Sequence, residues 1–189
     1  MKTVLGFLLV AFMAACSVPG PREPDRYFVL DAGPPAGTAP RSGVSVAVAP
    51  PSAAGFYDTQ DIAYSRAPGT RAYYQFNRWT ERPQRSIHAQ LAARLGGGPA
   101  KGGLRLDTNL EEIYHDAAEE PGTARITIAA ELVDPGSRAV LARRTFTRSA
   151  PAASYDAPGA VRGFNQALAA LIGDIEGWID VEALRKAPR

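Results

Sequence analysis

The sequence predicts an α+β domain: a two-layer sandwich of a mostly antiparallel sheet with two helices on one face. Three observations lead there. Stretches of strict apolar/polar alternation in the second half give strands with one dry and one wet face. Two segments carry apolar residues at intervals of three and four, the stripe of an amphipathic helix. Pro-Gly and Asp-Pro-Gly-Ser sequences separate the alternating stretches and supply turns.

Taken in order, Tyr27 to Leu30 is a short aromatic and β-branched run and forms the first predicted strand. Residues 32–43, rich in Pro, Gly and small side chains, read as a loop. Val44, Val46 and Val48 alternate with small residues before Pro50-Pro51 ends a second strand. Ile62–Arg66 and Arg71–Asn77 read as two strands joined by Ala67-Pro68-Gly69-Thr70, a type II turn whose third position needs the positive φ that glycine accepts. Thr80 is then expected to cap a helix with Glu81 and Pro83 in its first turn and Ile87, Leu91 and Leu95 as its stripe, stopped by Gly96-Gly97-Gly98. Leu104, Leu106, Thr108 and Leu110 share one face of a strand, opposite Arg105, Asp107, Asn109 and Glu111. Ile126, Ile128, Ala130 and Leu132 repeat the pattern. Val140 to Arg148 follows a turn at Asp134–Ser137. The closing helix carries Val161, Phe164, Leu168, Leu171, Ile175 and Trp178.

The amino-terminal residues have a different character. Lys2 gives a positive start, Val4 to Ala15 are apolar or small, and Met13-Ala14-Ala15 lead directly into Cys16. A helix of those twelve residues is only about 18 Å long, too short for a ~30 Å hydrocarbon core, so residues 1–15 read as a signal peptide. The segment resembles a bacterial lipobox, which implies cleavage before Cys16 and attachment of acyl chains, palmitate among them, to that residue. Residues 16–25 then form the lipidated cysteine and its tether, and residues 26–189 a single globular domain. Ser17, where inner-membrane retention would place Asp, favours the periplasmic face of the outer membrane over the inner membrane.

Composition narrows the chemistry. Cys16 is the only cysteine, so no intramolecular disulfide, thiolate metal site or redox pair can form. The chain has 21 basic residues, of which Lys2 alone precedes Cys16, leaving 20 against 19 acidic ones. A balance so near neutral gives no electrostatic case for nucleic acid. His88 and His115 are the only histidines. His88 lies one position from its helix stripe and His115 beside Asp116 near a strand end, and both read as surface or capping residues rather than bases or ligands. No metal or other cofactor is expected. The glycine-rich stretch 96–103 follows a helix rather than a strand and has no Ser or Thr after Lys101, so it is a connector and not a phosphate loop. Glu111-Glu112 and Glu119-Glu120 read as solvated carboxylates. No catalytic residue emerges.

The aromatic group Tyr73, Tyr74, Phe76 and Trp79 stands out. Strand alternation puts Tyr74 and Phe76 on one face, expected in the core, and Tyr73 with Asn77 on the other. Trp79 also reads most simply as core. Tyr73, Asn77 and Trp79 are nevertheless the candidate interface residues, because aromatics bury much area with few torsions to fix.

Four segments together resemble the ABC-type transport auxiliary lipoproteins, the PqiC-like family. They are the lipoprotein start with Tyr27-Phe28-Val29-Leu30; Ile62-Ala63-Tyr64-Ser65 with Tyr73 to Trp79, ending in Asn77-Arg78-Trp79; the strands Ile126–Val133 and Val140–Phe146; and the Phe164 to Trp178 helix. The resemblance implies a non-enzymatic component of an envelope lipid-transport system. It would work with an MCE-domain conduit and ABC transporter components, form a homo-oligomer, and dock the conduit at the outer membrane. Beside this stand an interaction module of another envelope system, TolB-like or an activator of peptidoglycan synthesis, and, further off, a periplasmic hydrolase. Direct lipid carriage would require an apolar cavity.

Overall fold

The computed structural model describes residues 23–34, 45–96 and 103–186. Cys16, Ser17 and Lys101, and the loop and strand residues from 35 to Val44, lie outside the described residues. The expected α+β architecture is present. Eight strands, β1 (Arg26–Phe28), β2 (Val46–Val48), β3 (Ser52–Ala53), β4 (Asp61–Ser65), β5 (Ala72–Trp79), β6 (Leu104–Asp116), β7 (Thr123–Val133) and β8 (Val140–Pro151), form one mixed, open sheet. Among the described residues, two α-helices, α1 (Pro83–Leu95) and α2 (Ala157–Lys186), complete it.

The sheet order is β1-β5-β4-β6-β7-β8, with β2 and β3 also paired to β6. The long ladders, β6 with β7 and β7 with β8, are antiparallel. Around them the connections differ: β2, β3 and β4 each run parallel to β6, meeting it in succession at Leu104, Asn109 and His115. Three short pieces thus share one edge of a single long strand. The β4–β5 hairpin extends the sheet, and β1 closes it by pairing parallel to the end of β5.

Alternation places the core as expected. Leu104, Leu106 and Leu110 of β6 and Ile126, Ile128 and Leu132 of β7 are buried, together with Phe164, Leu168, Leu171, Ile175 and Trp178 of α2 and Ile87, Leu91 and Leu95 of α1. All belong to one apolar cluster. Trp79 packs edge-on against Phe164 at 5.5 Å, and Phe146 against Trp178 at the same distance, so the aromatic pairs bridge sheet and helix. Among the described residues, no helix is long and apolar enough to cross a membrane.

Two irregularities alter the sequence expectation. In β6, Leu110 pairs with Ile128 and Glu112 with Thr127, so Glu111 is an extra residue opposite nothing. This bulge reverses the inward phase and sends Ile113 and His115 into the interior. In β5, Asp61 pairs with Arg78 and Ala63 with Tyr73, so two steps along β4 face five along β5. Phe76 lies in that excess. It is half-buried and outside the core cluster, against the expectation of a core residue, whereas Tyr74 does pack on the core.

The start of α1 also differs. Thr80 does not cap it: its N–H donates to the Phe28 carbonyl at 2.9 Å, continuing the β1–β5 pairing, and its own carbonyl accepts from Gln60 Nε2. The helix begins at Pro83 after Arg82, whose side chain makes no capping hydrogen bond. Proline there already has helical φ and lacks one N–H that would otherwise need a partner. The far end follows the sequence, with Gly96 at φ 62° donating to the Ala92 carbonyl.

Candidate interaction surface

The sheet face away from the helices is built around the β4–β5 hairpin. Its turn forms as expected: Gly69 has φ 73°, and the Thr70 N–H and hydroxyl both donate to the Ala67 carbonyl. A single turn of 3-10 helix, Gly55–Tyr57, folds over this hairpin. Tyr73 Oη donates to the Phe56 carbonyl at 2.6 Å while the two rings stack at 4.5 Å. Both rings remain 38 % exposed, so they present a flat aromatic pair to solvent. Tyr57 meets Phe56 edge-on and is itself buried.

A charged network continues from this pair across the same face. Arg71 Nε donates to Tyr57 Oη at 3.0 Å, and its guanidinium lies 3.6 Å from the centre of the Tyr114 ring. Glu112 sits between two arginines, with Arg71 and Arg125 each 3.4 Å from one of its oxygens, and accepts from the Thr127 hydroxyl. Glu112 is therefore tied into the sheet and is not merely a solvated carboxylate. Burial raises the Tyr114 phenol above its ordinary pKa, keeping it neutral beneath the arginine.

The candidate residues named from sequence do not converge. Tyr73 is exposed on the outer face. Asn77 is half-buried at the far end of the hairpin, in register with Arg26. Trp79 is only 1 % exposed and packed on Phe164, so it offers nothing to a partner, and its assignment as an interface candidate is corrected. Phe76 instead rims a polar depression with Glu23, Asp25, Gln75 and Arg78. Sequence reasoning missed Phe56, Tyr57, Arg71 and Tyr114. Adjacent Phe56-Tyr57 after Gly55, outside any alternating run, was the available signal.

His115 departs furthest from expectation. It is wholly buried, not a surface or capping residue, because the bulge turns it inward. Its Nε2 lies 3.0 Å from the Pro121 carbonyl and its Nδ1 2.7 Å from Tyr74 Oη. A carbonyl can only accept, so Nε2 carries the hydrogen and Tyr74 donates to Nδ1. Burial lowers the imidazole pKa below its ordinary value and pushes the Tyr74 phenol up to about 12, so both stay neutral. A Cβ on Gly122 would come within 2.4 Å of the ring, which explains glycine there. Tyr155, ahead of α2, stacks edge-on to the imidazole and donates to the Ala117 carbonyl. With both nitrogens bonded inside the protein, His115 joins β5, β6 and the approach to α2. His88 is half-buried on α1, away from this junction. Among the described residues, no group of three or more His, Cys, Asp or Glu could hold a metal ion.

Known proteins place this fold. The chain is similar to XCC0632 of Xanthomonas campestris, a DUF330 protein, with 23 % identity, a TM-score of 0.73, and coverage of 85 % of this chain and 98 % of that one. A second solved structure, of an uncharacterized protein, matches with a TM-score of 0.65 at 14 % identity, covering 83 % and 99 % respectively. Both likenesses concern the fold. No curated protein matches the sequence. The family model for the ABC-type transport auxiliary lipoprotein component matches residues 28–176, from the end of β1 to deep within α2. The chain therefore belongs to the ABC-type transport auxiliary lipoprotein family.

Proposed function

We propose that this protein is a non-catalytic, lipid-anchored periplasmic component of an ABC/MCE-type lipid-transport system, docking an MCE-domain conduit at the outer membrane. The observation that carries the reading is family membership across nearly the whole described fold, joined to the lipobox-like Met13-Ala14-Ala15-Cys16 ahead of it. Its mechanism is positioning. Acyl chains on Cys16 confine the domain to one membrane surface, and confinement raises the effective concentration of a weakly binding face toward a partner there. A positioning role agrees with His115 being spent on internal hydrogen bonds. Tyr73, exposed and stacked on Phe56, is the residue we assign to the contact with the conduit or with a neighbouring copy in a homo-oligomer.

Two measurements test this. Metabolic labelling with a palmitate analogue should mark the wild-type protein and not Cys16→Ser, which should leave the membrane fraction or persist uncleaved. Affinity capture of the detergent-solubilised protein should retain an MCE-domain protein and ABC subunits, and Tyr73→Ala should weaken that capture without lowering the melting temperature. Normal membrane retention of Cys16→Ser, or capture of cell-wall synthases in place of the conduit, would overturn the proposal.

A further inference from the structure

The extended segment at β1 has two unlike sides. Phe28 packs on the core and Leu30 is buried, while Tyr27 and Val29, two apart and hence on the same side, are 60 % and 59 % exposed. β1 ends the sheet, and among the described residues no strand lies beyond it. Single exposed apolar side chains are ordinary on any protein surface. This pair differs because of where the chain comes from.

Nine residues lie between Cys16 and Arg26, and whatever their conformation the ten steps from one to the other span at most roughly 36 Å. The opposite edge, β8, lies five strand spacings across the sheet, roughly 24 Å farther. An acyl anchor on Cys16 therefore keeps the β1 edge within one tether length of the bilayer, while β8 meets the membrane only if the domain turns over on its tether. The chemistry of that edge suits the headgroup zone. A tyrosine places its ring among upper acyl segments and its hydroxyl in the wet layer, valine adds apolar area, and the exposed Arg26 can extend its guanidinium to a phosphate. Exposed Glu23 and Asp25 offset the arginine, so the edge is an apolar contact rather than a polybasic one.

We propose that Tyr27 and Val29, flanked by Arg26, form a membrane-contact edge that seats in the headgroup zone of the bilayer bearing the lipid anchor. This rests on lipidation of Cys16, as put forward above. Because the tether already supplies proximity, a weak partition suffices. Seating this edge gives the domain one orientation, with β8 on the side away from the membrane.

The test uses the full-length acylated protein in phosphatidylethanolamine/phosphatidylglycerol vesicles containing brominated lipid. Native Trp79 and Trp178 are buried, so a tryptophan at an exposed position reports separately. Tyr27→Trp keeps an interfacial aromatic, and Val140→Trp places the same probe on β8. The Tyr27→Trp probe should be quenched by brominated lipid and the Val140→Trp probe should not. Adding Arg26→Ser and Val29→Ser should cut the quenching roughly threefold or more while leaving the melting temperature unchanged. Acyl labelling of the same preparation separates the two levels of failure. Acylated protein with an unquenched probe at position 27 overturns this inference and leaves the anchor reading intact. Equal quenching at both positions also overturns it, since the domain then has no preferred edge. Shielding of position 27 from aqueous iodide without quenching by brominated lipid shows a second copy on the edge, and overturns it too. Absence of acylation removes the anchor reading and this inference with it.

Discussion

The two halves of the molecule reach the same sheet by different means. From Leu104 onward the chain makes three strands of 11 to 13 residues, paired antiparallel to their sequence neighbours, and one long helix that covers them. Before residue 80, among the described residues, it makes five strands of two to eight residues, several of them parallel; β2 and β3 have β6 as their strand partner, and β4 joins β6 to β5. The later half is held by local pairing and by a continuous apolar face. The earlier half is held by attachment to that frame, through Trp79 on Phe164 and the Asp31 N–H donating to Asn165, and to α1, whose Ser86 and Gln90 donate to the Leu30 carbonyl. Regularity in one half thus permits irregularity in the other, and the surface features with character, the Tyr73–Phe56 stack and the β1 edge, all lie in the irregular half.

The strongest way to break this comparison is to cut the link between the halves. Trp79→Ala removes the largest side chain joining β5 to α2, and we expect a loss of about 3–5 kcal/mol in chemical denaturation. Since the buried residues form one cluster, unfolding should remain a single transition. A variant that melted in two steps would show that the halves are separate cooperative units. Next, within the regular half, Gly163→Ala should cost about 1–3 kcal/mol, because a Cβ there would meet the Ala124 Cβ and the Pro151 carbonyl at 2.9 Å. A neutral result would mean that α2 rides on the sheet less closely than described.

The junction of the halves titrates. Buried His115 has a lowered pKa, so as pH falls through the ordinary value of 6.5 the unfolded chain takes up a proton before the native protein does. Stability should therefore be level above that pH and decline below it, until the pH passes the native pKa. For one proton the slope is at most about 1.4 kcal/mol per pH unit. Denaturation series from pH 7.5 to pH 5 on wild type and His115→Gln check this, and an identical slope in both would remove His115 as the cause. The smallest expected effect is a gain. A Cβ on Gly173 meets nothing within 4 Å, so Gly173→Ala should raise stability by up to ~1 kcal/mol, in contrast to Gly163→Ala ten residues earlier on the same helix.

The sequence was legible where its period stayed constant. Leu104 to Leu110 and Ile126 to Leu132 alternate without interruption, and both proved to be core faces. Val161 to Trp178 kept the helical interval and is buried throughout its stripe. Legibility failed where one extra residue changed the phase. Continuing the β6 pattern past Glu111 turns His115 outward, yet apolar Ile113, out of phase with Leu110, marks the bulge in retrospect. The same holds for Phe76, displaced by the excess residues in β5. Thr80 has the chemistry of a helix cap, but tertiary pairing with Phe28 outweighs that local preference. The interaction surface was the least readable part. Phe56, Arg71 and Tyr114 come from three separate segments, and only the fold brings them to one face.

The dependence of β2 and β3 on β6 also sets a schedule for folding. A chain made from its amino end delivers those two strands well before Leu104–Asp116, the strand that completes their hydrogen bonding. Contacts so distant in sequence cannot form early, so β2 and β3 wait without their strand partner until β6 has emerged. On the proposed lipidation of Cys16, acylation and cleavage fall within that interval, ahead of the completed sheet. Topology thus acts as a delay line: on that reading, the anchor is attached before the body it carries is complete.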